Sequence, residues 1–304
     1  MDISRRQFIR KSSIAMAGTA MLPIIVNRRK IPGHVLGIQL YTVRDDMEKD
    51  PEGTLKSLAA MGYTYVEHAG YENRKFYSYT IADFKKLLHD TGLTMLSGHS
   101  FLGSRQWDKS GNDFTDDWKD TVRDAAAVGM KYLISPGVDE DLCKNAADFK
   151  RYMEMFNKAG ELCQKAGITF AYHNESYEFN HSLDGTLLYD LLLASTDHAL
   201  VAQQIDIGNM YEPGGRAADY LKRYPGRFRL MHVKDEIKKQ KPGENGQLYE
   251  SSVLGKGSVG INDVLELAAR SGVTYFIVEQ EDYQGKTPLE CAAENLKAMH
   301  NRGF

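Results

Sequence analysis

Short apolar or β-branched runs alternate with helical patterns eight times between residues 35 and 300. The runs at 35–41, 63–67, 93–97, 131–135, 168–173, 200–206, 228–233 and 273–279 read as strands. Their near-continuous apolar character is that of strands covered on both faces. The segments 51–61, 81–89, 115–128, 146–166, 187–194, 217–223, 262–270 and 289–300 read as helices. Pro51 opens the first, and Gly62, Gly92, Gly129, Gly167 and Gly272 stand where a left-handed residue lets a helix turn into the next strand. Eight such units in about 270 residues predict a single-domain α/β protein, a (β/α)8 TIM barrel. A doubly wound open sheet would carry a glycine-rich phosphate loop after its first strand, where Gly37 stands alone.

The first thirty residues depart from this pattern. A Ser-Arg-Arg-Gln-Phe-Ile-Arg run at 4–10, then Lys11 and a weakly hydrophobic stretch ending near Val26, reads as a Tat-type export signal. Residues 1–30 are therefore expected to be the signal and 31–304 the barrel, with a periplasmic destination. An uncleaved signal would leave a membrane tether. The signal also masks the charge of the rest. The whole chain is −3, but without its first thirty residues it holds 31 basic against 40 acidic side chains, a net of −9. A phosphate backbone would be repelled, so nucleic acid is an unexpected partner. Three scattered cysteines exclude a disulfide scaffold and a thiolate zinc site.

In a barrel of this kind the loops after the strands build the functional face. Here the strand ends are rich in ionisable groups. Strands five to eight, adjacent in the closed sheet, end in His173 with Glu178 beyond it, Asp206, His232 and Glu279. Carboxylates converging there would repel one another unless a divalent cation joined them. Carboxylates and imidazoles without thiolate suit Mn²⁺, Mg²⁺, Co²⁺ or Zn²⁺ alike. The segment 236–258, rich in Lys and Gly, is expected to form a lid over the mouth.

Taken in order, Gly37-Ile-Gln-Leu-Tyr-Thr-Val-Arg-Asp45, Val66-Glu67, Tyr172-His-Asn-Glu with Glu178-Phe179, Gln204-Ile-Asp206, Met231-His-Val-Lys-Asp235 and Ile277-Val-Glu-Gln-Glu281 resemble the sugar phosphate isomerase/epimerase family with a xylose isomerase-like barrel. The resemblance covers nearly all of residues 34–302. It implies a divalent-metal enzyme acting on a small sugar or keto-sugar, an isomerase or epimerase that moves a proton next to a carbonyl through an enediolate on the metal. The metal set it implies is Glu178, Asp206, His232 and Glu279, with His173 as the alternative strand-five donor. Glu178 and Glu279 are the expected proton-transfer groups, and Gln39, Glu67, His99, His173 and Lys234 the expected substrate contacts. A lyase or hydratase on an oxidised sugar would use the same chemistry, and a non-catalytic metal-containing sugar-binding protein is the reading from another class. Three positions depart from the family pattern: Glu175 replaces a second His, Ile-Gly-Asn-Met-Tyr follows Asp206, and Lys256 sits between Gly255 and Gly257.

Overall fold

The computed structural model describes residues 33–243 and 246–304; the expected export signal lies outside them. Eight parallel strands close into a barrel: β1 (Val35–Gln39), β2 (Tyr65–His68), β3 (Thr94–His99), β4 (Tyr132–Pro136), β5 (Thr169–His173), β6 (Val201–Asp206), β7 (Phe228–Val233) and β8 (Tyr275–Val278). Around the barrel the order is β1-β8-β7-β6-β5-β4-β3-β2. The main helices are α1 (Pro51–Met61), α2 (Ile81–Thr91), α3 (Asp116–Val128), α4 (Ala146–Lys165), α5 (Leu188–Ser195), α6 (Ala217–Arg223), α7 (Ile261–Arg270) and α8 (Pro288–His300). The fold is the TIM barrel expected from the pattern. Gly62, Gly92, Gly129, Gly167 and Gly272 all take positive φ, the conformation their role requires. Several element boundaries shift by one or two residues. The first strand stops at Gln39, whose side chain accepts the Tyr41 N–H and starts a short 3-10 turn over Leu40–Val43.

Alternation along the strands sorts the side chains into two environments. Outward-facing residues such as Phe170, Tyr172, Ile205 and Phe276 join the helices in the main apolar core. The interior is layered. Ile134, Ala171, Ala202 and Leu230 form a small apolar plug, with Tyr132 and Tyr275 packed against it. One strand repeat further along lie His173, Gln204 and His232, all buried. This places polar groups at the C-terminal mouth and seals the other end.

The expected lid is only partly a projection. Asp235–Lys238 pairs antiparallel with Tyr249–Ser252. The returning chain is tied down: the Asp235 carboxylate accepts the N–H groups of Gly255, Gly257 and Val259, and Ser251 Oγ accepts those of Glu281 and Asp282. The base of this hairpin is therefore part of the barrel rim.

Candidate metal centre and the cleft above it

Glu67 anchors a buried polar network inside the barrel. Its carboxylate accepts from Gln39 Nε2 (2.8 Å), Gln204 Nε2 (2.8 Å) and Ser97 Oγ, and lies 2.5 Å from His232 Nε2 and 3.1 Å from His99 Nε2. Burial alone would raise its pKa, yet the His232 and His99 imidazoles hold it well below the usual carboxylate range. Gln39 and Glu67, expected to contact substrate, are fully buried and joined to this network instead. They position His232 rather than line the cleft.

Gln204 Oε1 takes a hydrogen bond from His99 Nε2 and another from His173 Nδ1, each at 2.9 Å. The second contact fixes the His173 tautomer. With Nδ1–H pointing at Gln204, the Nε2 lone pair faces Asp206 Oδ2 at 3.9 Å. Burial, with His232 and His99 nearby, keeps His173 neutral by pushing its pKa well below the ordinary value. A neutral, oriented imidazole is what a metal ligand requires.

Asp206 is held by its backbone and by one oxygen. Its N–H and C=O exchange hydrogen bonds with the Asn174 side chain, and Oδ1 accepts from the Gly208 and Asn209 N–H groups. Oδ2 is buried and accepts no hydrogen bond. It lies 3.6 Å from His232 Nδ1. An ionised oxygen left bare in the interior is costly unless something else meets it. Ligand atoms from His173, Asp206, His232 and Glu279 all fall within 4.8 Å of one another. Two imidazoles and two carboxylates around that bare oxygen fit a divalent cation, and the donor set does not choose between Mn²⁺, Mg²⁺, Co²⁺ and Zn²⁺.

The cluster is strongly polarised without a cation. His232 Nδ1 is 3.0 Å from Glu279 Oε2. Burial opposes its charge, but Glu279 and Glu67 raise the His232 pKa well above its ordinary value. Glu279 is shifted the other way, to about 2, because Lys234 and His232 more than offset its burial. Lys234 Nζ is 3.3 Å from Glu279 and also bonds Asn209 and Glu281. Gly208 makes room for this arrangement, since a Cβ there would meet Lys234 Cγ at 2.7 Å.

Glu178, expected as the strand-five donor and a proton-transfer group, is placed outside this cluster. It sits in a short helix, Tyr177–Asn180, fully buried, with its carboxylate turned back to the Glu175 N–H at 3.2 Å. Burial pushes its pKa up to about 7. His173 joins the cluster because it follows Ala171 on the inward face, and Ala171 itself lies a layer lower in the apolar plug. Glu178→Gln is therefore expected to leave bound metal unchanged and to disturb only the loop carrying Glu175, as metal analysis beside His173→Ala checks.

Above the cluster lies a polar cleft of about 690 Å³, lined in part by Arg44, Glu175, Asn209, Lys234, Glu236 and Glu281. Of the substrate contacts expected from the sequence, Lys234 lines it directly. His99 lies deeper, against His173 and His232. Glu175 was noted in the sequence only as a departure from a His, yet it overhangs the site. Its Oε2 accepts from Asn209 Nδ2 at 2.8 Å, and Oε1 stands 3.7 Å from His173 Nε2. Although nearly half its side chain faces the cleft, burial of the carboxyl pushes its pKa up to about 7 against the pull of Lys234. Asn209 and Glu281 were also not singled out, since a neutral amide and one more acid in a long run carry no spacing signal.

The family model of the xylose isomerase-like TIM barrel matches residues 55–302. The chain belongs to that family. Among curated relatives, the inosose dehydratase of Bacillus licheniformis is 26% identical over 190 residues, which is 57% of this chain and 62% of the relative. The inosose dehydratase of Clostridium perfringens is 31% identical over 179 residues, 55% of this chain and 59% of the relative. The chain thus spans about three fifths of the length of these relatives. A crystal structure of a sugar phosphate isomerase/epimerase from Parabacteroides distasonis superposes with a TM-score of 0.74 at 26% identity, covering 88% of this chain and 94% of that one.

Proposed function

We propose that this family member is a divalent-metal-dependent enzyme that removes a proton next to the carbonyl of a sugar or keto-sugar, and that the usual outcome is loss of water. The observation that carries the metal is the bare, buried Asp206 Oδ2 facing an oriented His173 and a doubly held His232. His173, Asp206, His232 and Glu279 would hold the cation, which supplies Lewis-acid polarisation of the carbonyl. Glu279, kept ionised by Lys234, takes the proton from the neighbouring carbon. Lys234 and Asn209 stand at the cleft floor, where Lys234 keeps Glu279 ionised. Glu175, protonated for part of the time near neutral pH, gives its proton to the departing hydroxyl, so that the C–H electrons form the new double bond and the C–O bond leaves as water.

Epimerisation, one outcome expected from the sequence, would use a second base on the far face of the reacting carbon, whereas isomerisation through an enediolate needs one base alone. The lyase reading is supported by the Glu178 carboxylate, expected as the second base, accepting the Glu175 N–H. The name inosose dehydratase among the curated relatives also supports the lyase outcome. Incubating the Mn²⁺-loaded enzyme with an inosose in deuterated water separates the readings by mass spectrometry. Loss of one water supports the dehydratase. Deuterium gained at constant composition supports the isomerase, and neither change supports a binding protein without catalysis.

We further propose that residues 1–30 export the chain to the periplasm through the Tat route. Arg5→Lys with Arg6→Lys is expected to retain the protein in the cytoplasm, since recognition reads the guanidinium pair; unchanged cell fractionation would defeat this.

A further inference from the structure

We propose that the substrate is a neutral glycoside, and that a groove beside the catalytic cleft holds its second sugar ring; this rests on the sugar-site reading above. The groove measures about 280 Å³ and is lined by Tyr41, Arg44, Met47, Ala69, Tyr77 and Ser78 among others. Arg44 also lines the cleft over the metal cluster, so the two spaces meet at one side chain.

Three observations fit this groove to a sugar ring. First, the large apolar side chains left most exposed among the described residues are Tyr41, Phe101 and Leu248, and all three lie on loops after β1, β3 and β7 at the catalytic mouth. Of the three, Tyr41 lines the groove itself. A tyrosine offers a sugar both an apolar face for its C–H groups and a polar edge. Tyr41 is backed by the Arg44 guanidinium, 4.6 Å from its ring centre, which fixes the ring.

Second, the opposite wall is pre-formed. Tyr77 and Ser78 hold φ of 48° and 73°, an uncommon conformation for side chains of their size. Tyr77 Oη accepts the Ala69 N–H at 3.0 Å, and its ring fills the space where a Cβ on Gly70 would stand. Arg74 of the same loop is clamped to Asp124 on α3 by two hydrogen bonds of 2.7 and 3.0 Å. Such a wall loses little freedom when a ligand arrives.

Third, the cleft is poorly furnished for a phosphate. Six carboxylates line the cleft against three cations, Arg44, Lys234 and Lys239. Lys234 is taken up by Glu279, Glu281 and Asn209. The Arg44 guanidinium is used on Tyr41 O, Tyr283 Oη and Glu281 O. A sugar phosphate would meet a cleft lined with acidic side chains in which the Arg44 and Lys234 donors are already engaged.

The test is calorimetry on the Mn²⁺-loaded full chain with glucose, galactose and mannose, with disaccharides built from them, and with their 6-phosphates. At least one disaccharide is expected to bind tenfold or more tighter than its monosaccharide, and no phosphate tighter than its parent sugar. Tyr41→Ala, and Ala69→Trp, which fills the groove, should each abolish the disaccharide's advantage while leaving the monosaccharide affinity unchanged. Monosaccharides binding as well as every disaccharide, a gain that survives both variants, or preferred phosphates would overturn the subsite and leave the proposed activity standing. Failure of every one of these sugars to bind would overturn the glycoside proposal, while the inosose experiment decides the proposed activity separately.

Discussion

His232→Ala is expected to lower affinity for divalent ions at least about 100-fold and to abolish turnover. The side chain has two tasks that the structure separates by ring atom. Nδ1 faces Asp206 and Glu279, where a cation would sit, and Nε2 is held by Glu67. Removing the ring also deprives a fully buried carboxylate of a charged partner. The stability loss should stay within about 3 kcal/mol, because Gln39, Gln204 and Ser97 still donate to Glu67. Asp206→Asn provides the contrast. Its Oδ2 has no hydrogen bond to lose, so metal affinity should fall by a similar factor with much less effect on the metal-free melting temperature. In the wild type, a cation must displace the His232 proton, since that imidazole is protonated well above its ordinary pKa. Affinity should therefore drop about tenfold per pH unit on acidification for each proton displaced. Metal analysis and melting curves with and without Mn²⁺ check all three points. Stoichiometric metal in either variant would refute the assignment.

The barrel was legible because its signals are local and repeated. Alternating runs, glycines after the helices and a proline at the start of α1 each act within a few residues, and the structure keeps nearly all of them. Asp206, His232 and Glu279 were legible for a related reason. Consecutive parallel strands must be neighbours, so acids and imidazoles at their ends must converge. What failed was depth along the barrel axis. Glu178 and His173 are both near the end of β5, and spacing alone does not say which one faces inward. The inward face of a strand is set by its alternation, and His173 shares that face with Ala171. Glu178 follows a turn and a short helix that carry its carboxyl back to the Glu175 N–H. Depth also decided Gln39 and Glu67. Both are at strand ends, but mutual hydrogen bonds draw them beneath the cluster rather than into the cleft. Glu175 was visible as an unusual residue but not as a cleft group, since its place depends on Asn209 from the next loop.

Glu279→Gln is expected to reduce turnover by about 10² to 10⁴-fold while the fold persists. Glutamine keeps the volume and one oxygen donor, so part of the metal should remain. What it loses is the ability to accept a proton. Lys234 would stay paired with Glu281 and Asn209, and His232 with Glu67, so no buried charge is left alone. Stability should report the same carboxylate through its pH dependence. The Glu279 pKa is depressed to about 2 in the folded chain, below the value of about 4.3 for an unfolded glutamate. Its contribution is thus fully present above the unfolded value and is lost as pH falls through the folded one. In metal-free protein, the gap in unfolding free energy between wild type and Glu279→Gln should be constant near neutrality and close between about pH 4 and pH 2. Urea unfolding across that range measures the gap, and single-turnover kinetics on the metal-loaded variant measure the proton step. A variant with near wild-type turnover would move the base role away from Glu279. A gap that stayed constant down to pH 2 would show that Lys234 and His232 do not hold this carboxylate ionised.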